Sequence, residues 1–175
     1  MFRHQLQHVI LEIGERFGVK DFYVIGSAAI LAVMSDPPIG ALTATRDVDV
    51  IPTDGDERLA DRISFVIGEA SEFDAAHGYY AQGVSLNTPR YAPRDWPTRA
   101  IPIRVGDITA WCMEPTDLVL SKLGVGREKD LEFARSAAQL ALVTEDELLN
   151  RLSSVPSTAK DIALIADRIR SIVRP

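Results

Sequence analysis

Phe22-Tyr23-Val24-Ile25-Gly26-Ser27 and, after nineteen intervening residues, Asp47-Val48-Asp49-Val50-Ile51 are the two segments from which the rest of the chain is placed. Each is a short β-rich apolar run bounded by turn chemistry. In the second, residues two apart share a face, so both carboxylates project together while Val48 and Val50 turn to the core. Two like charges held side by side repel and call for a counter-charge. A divalent cation supplies it, and a few oxygen ligands on a rigid strand suit Mg²⁺ shared with substrate phosphates. The plainer alternative is an edge strand with solvated acids on its outer face. The first run ends at Gly26-Ser27, and Ala28 to Met34 reads as a helix. A strand-to-helix junction offers backbone N–H groups, a helix dipole and a hydroxyl, a combination that holds phosphate. Ser27 as an ordinary helix cap explains the same residues.

Outward from these segments, Leu6, Val9, Ile10, Ile13 and Phe17 recur at helical spacing and Gly18 supplies a stop, which predicts an amphipathic first helix. Asp36-Pro37-Pro38 marks a loop before the Asp47 strand. Residues 57–70 read as helix. Tyr79, Tyr80, Val84 and Leu86 suggest one strand, and Ile101–Val105 with Ile108–Met113 a hairpin turning at Gly106-Asp107. From Pro115 the pattern is helical: one helix broken at Gly124 and Gly126, a second over about 127–142, a third started by the Thr144/Glu147 capping box, and a fourth carrying Ile162, Ile165, Ile169 and Ile172. The expected fold is α/β (α+β), a small mixed sheet with flanking helices over 1–114 and a C-terminal helical subdomain over 115–175.

The chain has 175 residues, 46% hydrophobic and 25% charged, the composition of one globular domain with at most a small appendage. No apolar run approaches the roughly 18 residues of a membrane span, and the first residues lack the pattern of a secretory signal. A cytoplasmic protein without membrane contact is expected. Cys112 stands alone, so no internal disulfide forms, and no Cys/His set has zinc spacing. His4, His8 and His77 have no visible partners and are expected in packing or surface roles.

The net charge of −6 argues against a surface that grips nucleic acid throughout. Residues 1–114 carry 10 basic and 16 acidic side chains, and residues 115–175 carry 9 of each. Arg90, Arg94, Arg99 and Arg104 face a single acid, Asp95, with Tyr91 and Trp96 interleaved. That segment reads either as a track for a single strand or as a proline-stiffened surface loop, with the loop preferred. Tyr79-Tyr80 suits either strand packing or a place beside a nucleotide base.

Gly-Ser, a spacer, then apolar-Asp-apolar-Asp-apolar resembles the polymerase-beta-like nucleotidyltransferase superfamily. Thr45-Arg46-Asp47-Val48-Asp49-Val50 is especially similar to bacterial nucleotidyltransferase-like proteins related to AbiEii-type toxins. The likeness continues in Glu114-Pro115-Thr116-Asp117-Leu118-Val119-Leu120-Ser121-Lys122-Leu123 and in Gly126-Arg127-Glu128-Lys129-Asp130-Leu131, covering about residues 20–135. It implies Mg²⁺-dependent transfer of a nucleotidyl group from an NTP to a hydroxyl, with RNA, including tRNA ends, as one acceptor class and a cognate antitoxin as a partner. It implies Gly26, Ser27, Arg46 and Arg127 on the nucleotide, Asp47 and Asp49 on the metal, Lys122 and Lys129 on phosphate oxygens, and Asp130 as a further catalytic or metal-linked acid. A catalytically degenerate relative that binds nucleotide or a protein partner is the alternative.

The spacer between Ser27 and Asp47 is longer than is usual in that superfamily, which also commonly adds a third carboxylate from a neighbouring strand. Asp107 and Asp130 are the candidates. Asp107 falls at a predicted turn, and Asp130, in the family-like block, is preferred. The Arg127–Asp130 run reads otherwise as a solvated helix start, and Lys122 as a lysine snorkelling from an apolar helix.

Overall fold

The two apolar runs pair with each other. Strands β1 (Asp21–Ile25) and β2 (Asp47–Pro52) lie antiparallel, with Val24 opposite Val50 and Ile25 opposite Asp49. The computed structural model describes residues 1–173. Three further strands complete the sheet: β3 (Tyr80–Gly83), β4 (Ile101–Val105) and β5 (Ile108–Cys112). Their order is β3-β2-β1-β5-β4, with β1 parallel to β5, β2 parallel to β3, and β4 antiparallel to β5. The fold is the expected mixed α/β sheet with flanking helices.

Helix α1 (Arg3–Phe17) buries Leu6, Val9, Ile10 and Ile13 against β4 and β5. Helix α2 (Glu57–Ile67) is started by Asp56, whose carboxylate accepts from the Arg58 and Leu59 amides, and it packs on β2 and β3. Such a cap contributes about 1 kcal/mol. α1 and α2 also touch each other and so cover one face. The predicted helix over 57–70 ends earlier, at Gly68, and a short α3 (Glu72–His77) follows, capped by Ser71. β3 is likewise shorter than the run from Tyr79 to Leu86. Beyond Gly83 the backbone turns at Ser85–Thr88, leaving Leu86 exposed.

The other face carries the first clear departure from the sequence reading. Residues Ser27–Ala32 form a 3-10 turn in place of the α-helix expected over Ala28–Met34. Ala28, Ala29, Ile30 and Leu31 are all buried. The segment threads through the core as a short tight spiral between the sheet and α4 (Pro115–Val125). Helices α5 (Glu128–Gln139), α6 (Glu145–Leu152) and α7 (Ala159–Val173) follow. α4 sends Leu118, Val119, Leu120 and Leu123 into the same apolar core that the sheet fills. Among the described residues no helix is long and apolar enough to cross a membrane.

Candidate functional site

β2 alternates as its sequence requires: Val48 and Val50 are fully buried, and Asp47 and Asp49 sit half-buried on the opposite face. The Thr45 hydroxyl donates to Asp47 Oδ1. Burial pushes the Asp49 carboxyl up to about 6, and the neighbouring charge of Asp47 adds to the rise against the opposing pull of Lys122, Arg127 and Lys129. The carboxylate pair therefore carries an unmet demand for positive charge. Gly26, at the end of β1, adopts φ 68° and ψ −170°, a region that is almost exclusively glycine's. A Cβ there would also collide with Asp49 Oδ2, so only glycine leaves the acid its place.

Opposite the acids, Lys122 reaches from α4 and donates to Ser27 Oγ at 2.9 Å. Its ammonium stands 3.5 Å from Asp130 Oδ1 and 4.5 Å above the Phe133 ring. Burial lowers the Lys122 pKa, and the charge and hydrogen bond of Asp130 oppose that shift. Arg127 grips Asp130 through Nε at 2.7 Å and Nη2 at 3.3 Å. Burial raises the Asp130 pKa, but the Arg127 hydrogen bond and the Lys122 charge outweigh it and hold the carboxyl below its usual range.

These groups line one cavity of about 420 Å³. All nine candidates, Gly26, Ser27, Arg46, Asp47, Asp49, Lys122, Arg127, Lys129 and Asp130, stand on its wall, joined by Tyr80, Thr88 and Ser121. Arg46 is on the rim with its guanidinium engaged elsewhere, donating to the Gly78 carbonyl at 2.9 Å and to Asp74 at 2.5 Å. Because the Gly26-Ser27 junction leads into a 3-10 turn of only six residues, little macrodipole stands behind it. What the junction offers is the Ser27 hydroxyl and the space that Gly26 leaves open.

Neither candidate third carboxylate stands on a strand beside Asp47 and Asp49. On β3 their register partners are Tyr80 and Gln82. Asp107 is exposed at the β4–β5 turn and paired with Lys20. Asp130 lies on α5 with both oxygens facing cations. Among the described residues no group of three or more His, Cys, Asp or Glu side chains is arranged to hold a metal. The two-carboxylate donor set does fit a hard dication that draws its remaining ligands from water and phosphate.

Several residues have roles that the sequence did not disclose. Asp117, fully buried, accepts from Arg99 Nε at 2.9 Å and Nη2 at 3.2 Å, with Arg151 Nη1 at 3.4 Å. Arg151 also pairs with Glu114, whose carboxylate caps α4 through the Thr116 and Asp117 amides. The Glu114-Pro115-Thr116-Asp117 block thus fixes α4 at its start. Trp96 is buried edge-on to Tyr23 and Arg99 is committed to Asp95 and Asp117, whereas Arg90, Arg94 and, on β4, Arg104 are exposed as in a surface loop. His8 bonds the Tyr79 hydroxyl at 2.8 Å within a cluster that includes Phe73 and His77. Only pairing across α1, α3 and β3 reveals that cluster, and it leaves Tyr80, not Tyr79, facing the cavity.

The family described as nucleotidyltransferase of unknown function (DUF6036) matches residues 4–163. That span includes both strands, the Gly26-Ser27 junction and all of α4 and α5. No match was found to curated proteins or to solved structures.

Proposed function

Since the chain belongs to this nucleotidyltransferase family, we propose that it moves a nucleotidyl group from an NTP, bound with Mg²⁺ in the 420 Å³ cavity, to a hydroxyl acceptor. The observation that carries this reading is the placement of Asp47 and Asp49 on one wall and of Ser27, Lys122, Arg127 and Lys129 on the others. Two acids that need a cation face a common space with Lys129, which makes no ion pair among the described residues, and with the Arg127 and Lys122 charges that Asp130 only partly offsets, and a metal-bound triphosphate suits both sides.

In this reading Asp47 and Asp49 hold Mg²⁺, which when bound supplies charge neutralisation at the α-phosphate and the departing pyrophosphate. Ser27 donates its hydroxyl to a phosphate oxygen. Lys129 and Arg127 offset the triphosphate charge. Tyr80, opposite Asp47 in the strand register, presents a ring to the base or ribose. The acceptor oxygen attacks the α-phosphorus, the bond to the bridging oxygen breaks with its electron pair leaving on pyrophosphate, and the acceptor's proton passes to water. RNA, tRNA ends among it, is the acceptor class favoured by the likeness of Thr45–Val50 to bacterial proteins related to AbiEii-type toxins, and the same likeness favours a cognate antitoxin as partner.

The test is transfer of label from each α-labelled NTP, with Mg²⁺, into total RNA and into the protein, beside an Asp47→Ala/Asp49→Ala protein. Label entering one RNA class and disappearing in the variant supports the reading. A second reading, a nucleotide-binding relative without turnover, is favoured by Tyr80 and Gln82 standing where a neighbouring strand would offer a third acid. It predicts metal-dependent nucleotide binding with no label transferred to any acceptor.

A further inference from the structure

We infer that Lys122 and Asp130 are positioning residues rather than phosphate and metal contacts: Asp130 is the counter-ion that keeps a buried lysine in place, and Lys122 orients the Ser27 hydroxyl toward the nucleotide. The inference rests on the cavity being a Mg²⁺–NTP site.

The hydrogen bonds decide the assignment. Asp130 is 1% exposed, and its two oxygens face Arg127 Nε, Arg127 Nη2 and Lys122 Nζ. A cation ligated by Asp130 would have to displace the Arg127 fork and sit beside Arg127 and Lys122. Asp47 and Asp49, in contrast, share a strand face with Val48 and Val50 turned away. Lys122 is equally committed. Its side chain is 12% exposed, its ammonium lies over the Phe133 ring, and one N–H goes to Ser27. A buried ammonium without a counter-charge is costly, so Asp130 supplies what burial takes away.

The direction of the Lys122–Ser27 bond then fixes what Ser27 does. An ammonium only donates, so the serine oxygen is the acceptor and the serine proton is left to donate elsewhere. Ser27 lines the cavity, and a phosphate oxygen there is the natural acceptor. The positive charge of α4 is felt at the triphosphate through the serine.

The 175-residue protein is titrated with Mn²⁺, followed by the electron paramagnetic resonance of the free ion, and with the four α,β-methylene-NTPs by calorimetry. Asp47→Asn should lose Mn²⁺. Asp130→Asn should keep Mn²⁺ within about twofold yet bind its preferred analogue about tenfold more weakly, the size of one charge-assisted hydrogen bond. Ser27→Ala and Lys122→Met should each weaken the analogue similarly, and the double variant should be no worse than either single one. Loss of Mn²⁺ in Asp130→Asn to the extent seen in Asp47→Asn overturns the inference, as do Ser27 and Lys122 effects that multiply. Should Asp130→Asn fold poorly, Lys122→Met/Asp130→Leu removes both buried charges. It should fold and keep Mn²⁺, and loss of the ion there also overturns the inference. A wild-type protein that takes up neither Mn²⁺ nor any analogue overturns the functional reading itself, an outcome distinct from the others.

Discussion

Gly26 and Asp49 are mutually exclusive with any larger side chain: the glycine sits at φ 68°, and a Cβ on it would occupy the place of Asp49 Oδ2. Gly26→Ala therefore acts on stability and on the site at once. The backbone strain alone is about 1–3 kcal/mol, and relief of the clash requires Asp49 to move. Urea denaturation should show a loss of that size, and Mn²⁺ titration should show weakened binding. An alanine variant with both properties intact would remove the case for Gly26 as a site residue.

Asp49 makes the metal-free protein pH-sensitive in a direction unusual for an acid. Its carboxyl is pushed up to about 6 in the fold by burial first and Asp47 second, so between the unfolded value and 6 the folded protein binds more protons than the unfolded one. Stability from this group is full below about 4 and is lost as pH rises through 6, by about 2–3 kcal/mol for a shift of this size. Asp49→Asn should match wild type near pH 4 and exceed it by that amount at pH 8, both in EDTA. Denaturation curves at the two pH values test this, and equal stability at pH 8 would refute it.

Asp117 is a structural acid, also raised by burial but paired with arginines where Asp49 is not. Burial raises its pKa, against the hydrogen bond and charge of Arg99 and the charge of Arg151. Asp117→Ala removes the buried acceptor that Arg99 and Arg151 share, leaving them Asp95 and Glu114, a change expected to cost about 1–3 kcal/mol. Thermal melting should drop by several degrees or more, whereas Asp95→Ala, which touches only the exposed side of Arg99, should shift it little. Similar melting shifts for the two variants would contradict the assignment.

The contrast between Asp49 and Asp117 explains how much was legible in the sequence. Strand periodicity announces two acids on one face, so Asp47 and Asp49 were readable from their spacing alone, and Gly26-Ser27 from its position after an apolar run. The sheet and the four C-terminal helices follow from the same periodicities and from signals such as Pro115 and Thr144. Asp117 carries no such signal, because its partners Arg99 and Arg151 lie 18 and 34 positions away. The same holds for His8 with Tyr79, 71 positions apart, and for Lys122 with Ser27, 95 apart. The 3-10 form of Ser27–Ala32 has no sequence signal, since an apolar run of this composition suits a buried α-helix equally well.

Lys129 and Arg46 were alike in sequence, each a basic residue beside an acidic motif, and the structure separates them. Both line the cavity, but Arg46 spends its guanidinium on Asp74 and the Gly78 carbonyl, while the charge of Lys129 is felt at Asp49. Lys129→Met should weaken binding of an NTP analogue about three- to tenfold, with most of the difference disappearing at high salt because the interaction is Coulombic. Arg46→Met should change the affinity by less than about twofold and lower stability by no more than about 1 kcal/mol, the usual size of an exposed ion pair. Calorimetric titrations at low and high salt, with a denaturation curve for each variant, separate the two residues. A larger affinity loss for Arg46→Met than for Lys129→Met would mean that Arg46 leaves Asp74 to meet the nucleotide.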